Sequence, residues 1–142
     1  MTDTNIDLKS EYGPYYSHLA EVAERMENAD AHTLARERTI ADVENYVPLG
    51  LKKGDTLLDI GSGVGVTGHF LQDRGIKTVG LDINPYAIQR AQALWGEQPS
   101  NHYINADATS SLPFADGSFD YVRSQDLLEH LPDIETAHKV FD

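Results

Sequence analysis

The 142-residue chain contains no cysteine, which excludes disulfides, thiolate metal sites and a cysteine nucleophile. Basic residues are scarce. Eleven lysines and arginines stand against 23 aspartates and glutamates, and the formal charge of −12 repels a phosphate backbone at long range while favouring cationic ligands. No apolar run approaches the roughly 20 residues of a membrane-spanning helix, and Asp3, Asp7, Lys9 and Glu11 leave no signal-peptide pattern at the amino terminus. These absences predict a soluble, cytoplasmic protein with no nucleic-acid or membrane partner. His18, His32, His69, His102 and His138 have no pairing at metal-ligand spacing, so no metal site is expected. A chain of this length suits a single domain, which at about 150 residues buries roughly 68–70% of its unfolded surface.

The organising stretch is Thr56-Leu57-Leu58-Asp59-Ile60-Gly61-Ser62-Gly63-Val64-Gly65, an apolar run that ends in an acid and breaks into alternating glycines. It reads as a buried strand followed by a tight turn where backbone can approach a nucleotide-like ligand. Upstream, Tyr15, Leu19, Val22 and Met26 line one face of an amphipathic helix. A second helix carries Leu34, Ile40, Ala41, Val43 and Val47 and closes at Pro48 and Gly50. Residues 1–48 are therefore read as an amino-terminal helical cap segment and 49–142 as the α/β domain. Tyr12, Tyr15 and Tyr16 serve as anchors of the first helix, with a place over the ligand as the alternative.

Downstream, strand and helix alternate. The pattern predicts a helix over 66–74, a strand over 76–81 ending at Asp82, and a helix opened by Pro85 through Ala87, Ile88, Ala91 and Leu94. Trp95 on that helix is read as packing. A third strand over 102–105 leads to Ala106-Asp107-Ala108, a fourth covers 119–122, and a last helix starts near Asp133 with Ile134, Ala137, Val140 and Phe141 as its apolar face. Such alternation implies a parallel sheet with right-handed crossovers. Three strands in succession end near an acid, at Asp59, Asp82 and Asp107. Asp82, 21 positions after Gly61, is placed to accept hydrogen bonds from a ribose diol, and Asp107 to meet a base. Each acid alone could equally be a helix cap or a turn former.

Taken together, these blocks resemble the class I S-adenosylmethionine-dependent methyltransferases, in particular the small-molecule and lipid type with a Rossmann-like domain. Leu58-Asp59-Ile60-Gly61-Ser62-Gly63-Val64-Gly65 is similar to the family's first motif, and Gly80-Leu81-Asp82-Ile83-Asn84 to its acidic second. Ala106-Asp107-Ala108 resembles the third. Leu112-Pro113-Phe114-Ala115-Asp116-Gly117-Ser118-Phe119-Asp120-Tyr121-Val122 resembles the run into the fourth strand, and Leu128-Glu129-His130-Leu131 also fits. The resemblance implies a doubly wound parallel sheet of about four strands in the order 3-2-1-4. It also implies S-adenosyl-L-methionine as cofactor. Asp59 with Gly61, Ser62, Gly63 and Gly65 would then hold the methionine part, Asp82 the ribose with Ile83 beside it, and Asp107 and Ala108 the adenine. Ser124 and Gln125 would flank the methionine side. His130 is the candidate base for a hydroxyl or amine acceptor, against a plainer reading as a helix-entry residue.

The family's sheet normally has seven strands, which leaves the fourth strand here as an open edge. The expectation is a carboxyl-terminally truncated methyltransferase domain, or one whose edge is covered by a second copy in a homodimer or by a partner chain. Two other functions remain open. A non-catalytic cofactor-binding or regulatory subunit would share the motifs, and Gly63-Val64-Gly65-Val66-Thr67-Gly68 also satisfies the G-x-G-x-x-G pattern of an NAD(P)-dependent oxidoreductase.

Overall fold

The computed structural model describes residues 50–96, 101–125, 127–128 and 131–141. The apolar run before the glycines forms β1 (Thr56–Ile60), four of whose five residues are buried, as a strand covered on both faces requires. Then follow α1 (Val66–Gln72), β2 (Lys77–Asp82), α2 (Pro85–Trp95), β3 (Asn101–Asn105), β4 (Tyr121–Ser124) and α3 (Ile134–Phe141). All strand pairs are parallel, in the order β3-β2-β1-β4 expected from the sequence. Strands 1 to 3 step outward in one direction, and the chain then crosses back to lay β4 on the other side of β1. The gap between β1 and β4 is therefore the topological switch point, where ligands of open α/β sheets bind at the carboxyl ends of the strands.

Alternation along β1 sends its side chains into two separate cores. Leu57 packs with Leu71 and Ile76 on one face, joined by Leu51 and Tyr121. On the other, Leu58 and Ile60 pack with Leu81 and Val140. The start of α2 follows from its sequence. Pro85 stands at the helix entry, where its missing N–H costs nothing, and the Asn84 side chain accepts from the amides of Tyr86 (2.8 Å) and Ala87 (3.4 Å).

β2 and β3 differ from the sequence reading by one residue at their ends, and three larger differences stand beside them. The first helix stops at Gln72, two residues short of 74, because the Gly75 amide donates to Gln72 O at 2.8 Å and Ile76 to Leu71 O at 3.3 Å, closing a tight turn with Gly75 at φ 73°. The fourth strand is Tyr121–Ser124 and not 119–122. Phe119 belongs to the preceding loop, edge-on to Phe114 at 5.0 Å, and Asp120 is held at the foot of β1. The Asp120 carboxylate accepts from the Thr56 amide and hydroxyl, both at 2.8 Å, while its own amide donates back to Thr56 O at 3.1 Å. In the last helix Val140 reaches the core, but Ile134 is 70% exposed and is not part of a buried face. Asp133 caps that helix by accepting from the Thr136 amide at 2.7 Å. The expected helical cap, its tyrosines and His130 lie outside the described residues.

Candidate functional site

Gly61, Gly63 and Gly65 all take positive φ, at 78°, 54° and 75°, so the loop after β1 is a conformation that other residues adopt only with strain. The loop is bonded inward. The amides of Gly61 and Ser62 both donate to Leu81 O, at 2.8 and 3.0 Å, Gly65 donates to Ser62 O at 3.0 Å, and Gly63 donates to Asp82 Oδ2 at 2.9 Å. From outside, Tyr103 and Trp95 fasten it. The Tyr103 hydroxyl donates to Gly65 O at 3.1 Å, and the Trp95 indole N–H donates to Val64 O at 2.7 Å. A Cβ on Gly65 would lie 2.2 Å from the Tyr103 ring, so this glycine is required by contact as well as by φ. Trp95 therefore does more than pack, and it also stacks on His69 with ring centroids 3.9 Å apart.

The structure places the three strand-end acids differently. Asp82 is buried and ties the glycine loop to the start of α2: its Oδ2 takes the Gly63 amide and its Oδ1 the Asn84 amide at 2.8 Å. Asp107, half-buried, closes its own turn by accepting from the Thr109 amide (2.8 Å) and hydroxyl (2.7 Å), the turn-forming role open to any such acid. Asp59 is buried within β1, and its carboxylate meets the Arg123 guanidinium at 2.7 Å. Burial pushes the Asp59 carboxyl above its ordinary range, with the nearby Asp82 adding to the rise and Arg123 opposing it. The sequence reading missed Arg123. The two residues are 64 positions apart but directly paired across β1 and β4. The available signal was a lone cation inside a short apolar strand, alternating with Tyr121 and Val122.

The remaining candidates gather at the same end of the sheet. Gln125 accepts from the second terminal nitrogen of Arg123. The hydroxyls of Ser62 and Ser124 are buried with no hydrogen-bond partner among the described residues, an arrangement that costs roughly 1–3 kcal/mol per group unless water or a ligand completes it. Ile83 follows Asp82 and is half exposed, presenting apolar surface beside the acid. Ala108 packs at the margin of the Leu58, Ile60 and Leu81 core.

A glycine loop turned inward and buried acids at the ends of β1 and β2 agree with what comparison with known proteins finds. The profile of the family described as "Methyltransferase domain" matches residues 58–141. The chain belongs to this family. An uncharacterized methyltransferase of Mycobacterium sp. (strain JLS) is 39% identical over 80 residues, which are 56% of this chain and 30% of that protein. The 2-methyl-6-phytyl-1,4-hydroquinone methyltransferase of Synechocystis is 37% identical over 84 residues, covering 58% of this chain and 26% of the relative. Among solved structures, the Haemonchus contortus phosphoethanolamine N-methyltransferase 2, in complex with phosphomonomethylethanolamine and S-adenosylhomocysteine, superposes with a TM-score of 0.62 at 26% identity. That match covers 74% of this chain and 24% of the other. This methyltransferase-family chain thus spans less than a third of the length of these relatives.

Proposed function

We propose that the chain binds S-adenosyl-L-methionine across the carboxyl ends of β1, β2 and β4, as the cofactor half of a methyltransferase acting on a small-molecule acceptor. The observation that carries this reading is the inward bonding of the glycine loop. A dinucleotide pyrophosphate is held by outward-pointing loop amides at a helix start. Here the amides of Gly61, Ser62, Gly63 and Gly65 are already engaged inside the chain, and two buried carboxylates lie beside them. That setting repels a pyrophosphate and suits a cation. Family membership supports the same choice.

In this reading Asp82 takes the ribose hydroxyls, Ile83 and Ala108 pack on the adenine and Asp107 meets its amino group. Asp59, Ser62, Ser124 and Gln125 surround the methionine end. When bound, the cofactor supplies a methyl group on a positively charged sulfur. What the chain contributes is alignment, since displacement at such a methyl depends on the line from acceptor through carbon to sulfur more than on an acid or base. His130 is the candidate to take a proton from a hydroxyl or amine acceptor.

Calorimetric titration with S-adenosylmethionine and with NAD, repeated on Asp82→Ala, tests the reading. Saturable binding of S-adenosylmethionine, weakened at least about tenfold in the variant through loss of a charged hydrogen-bond acceptor, is the expected result. Binding of NAD in its place would overturn it. Transfer of a labelled methyl to added small-molecule acceptors separates an enzyme from a non-catalytic cofactor-binding subunit.

A further inference from the structure

Ile83 is a half-exposed isoleucine between two buried polar residues, Asp82 and Asn84, on the short turn that leads from β2 into α2. Surface turns are ordinarily more mobile than the elements they connect. This one is held from another strand. The Asn105 side-chain amide, at the end of β3, donates to both Asp82 O and Ile83 O at 2.9 Å, one hydrogen to each. We propose that Asn105 is a positioning residue for the cofactor's nucleoside, acting through Ile83, whose side chain packs on the adenine. This rests on the reading of the site as an S-adenosylmethionine site.

Neither bond is needed to satisfy a buried group. Asp82 O already accepts from the Ala106 amide at 3.1 Å, and Ile83 O lies past the last register pair of the two strands, Asp82 with Asn105, where the bond is exposed and water can take its place. What the two bonds add is rigidity. One planar amide spans two successive carbonyls, so it fixes the peptide planes on both sides of Ile83 and with them the direction in which its side chain leaves the turn. The Asn84 amide, bonded to Asp82 Oδ1 at 2.8 Å, closes the same turn from its far side. Holding a binding loop in its bound shape raises affinity by removing the entropy cost of ordering it when the ligand arrives. Asn105 thus acts without touching the ligand. It keeps an apolar contact surface in place from a strand that lies 22 residues further along the chain.

Calorimetric titration with S-adenosylhomocysteine and with 5′-methylthioadenosine, which shares the nucleoside but lacks the amino acid, tests the inference. Asn105→Ala is expected to weaken both ligands by the same factor, about 3–10-fold, the range for a net hydrogen bond. Ile83→Ala supplies the second side of a double-mutant cycle. In its background Asn105→Ala should cost less than about twofold, because the side chain that Asn105 aims is gone. A residue that only supports the fold would give the same factor in both backgrounds. That result would overturn the inference, as would unchanged affinity in Asn105→Ala or a loss confined to S-adenosylhomocysteine. Failure of the wild-type chain to bind either ligand would overturn the cofactor reading as well. Asn105 is exposed, and if Asn105→Ala does not fold, Asn105→Ser, whose hydroxyl stops one bond short of the amide nitrogen, takes its place in the same cycle.

Discussion

The two sides of β1 are built for different purposes. Toward β2, the glycine loop, Asp82, Asn84, Tyr103 and Trp95 form a set of bonds that engages the amides of Gly61, Ser62, Gly63 and Gly65 and the carbonyls of Val64 and Gly65 within the chain. Toward β4, the structure holds an ion pair, the buried Ser124 hydroxyl with no hydrogen-bond partner among the described residues, and an exposed Val122. The first side is a scaffold. The second carries charged and polar groups at the switch point, where ligands of open α/β sheets bind.

The contrast can be broken most severely on the scaffold side. Gly65→Ala places a Cβ 2.2 Å from the Tyr103 ring at a φ of 75°, and should cost about 3–4 kcal/mol from overpacking and backbone strain combined. Urea denaturation measures the loss. Adding Tyr103→Ala should relieve the clash but leave the strain, so the double variant is expected to show a cost smaller than the sum of the two singles.

On the switch-point side, Arg123→Leu should cost about 3 kcal/mol at pH 8, because it strands a buried carboxylate. The effect depends on pH with a definite sign. The folded-state value for Asp59 already lies above its ordinary range, so its contribution to stability is complete below that range and is lost as pH rises through the raised value. Removing Arg123 moves the value higher still. The variant should therefore lose less relative to wild type at acid pH, once Asp59 is protonated, than at pH 8. A loss independent of pH would mean that packing of the Arg123 side chain, and not its charge, matters here.

The smallest effect is expected at the foot of the sheet, where Asp120 clamps Thr56 from an exposed position. Two bonds from Thr56 hold the Asp120 carboxyl below its usual range, and its stabilisation is present above the ordinary carboxylate range and lost as pH falls through the lowered folded value. Asp120→Ala should lower the thermal midpoint slightly at pH 7 and flatten the acid limb of the stability profile. An unchanged acid limb would show that the clamp sets strand register without adding stability.

Much of this was legible before any coordinates. Hydrophobic period and punctuation placed all four strands and the three helices of the described region, because strands ending in acids and glycines carry local signals. The errors lay at boundaries decided elsewhere. Phe119 and Asp120 have strand-like composition, yet Phe114 and Thr56 claim them for the loop and the clamp. Ile134 continues the helical period of Val140 but falls on the exposed side.

By itself the sequence determined the order of elements, the glycine turn and the acids at the strand ends, since these depend on residues within a few positions of each other. Tertiary structure alone decided what those acids face. Arg123 meets Asp59, and Tyr103 meets Gly65, only because parallel pairing brings residues 64 and 38 positions apart into contact, and register across a sheet is set by the fit of whole faces. A strand's own residues say which way its side chains alternate, but not which charge will stand opposite.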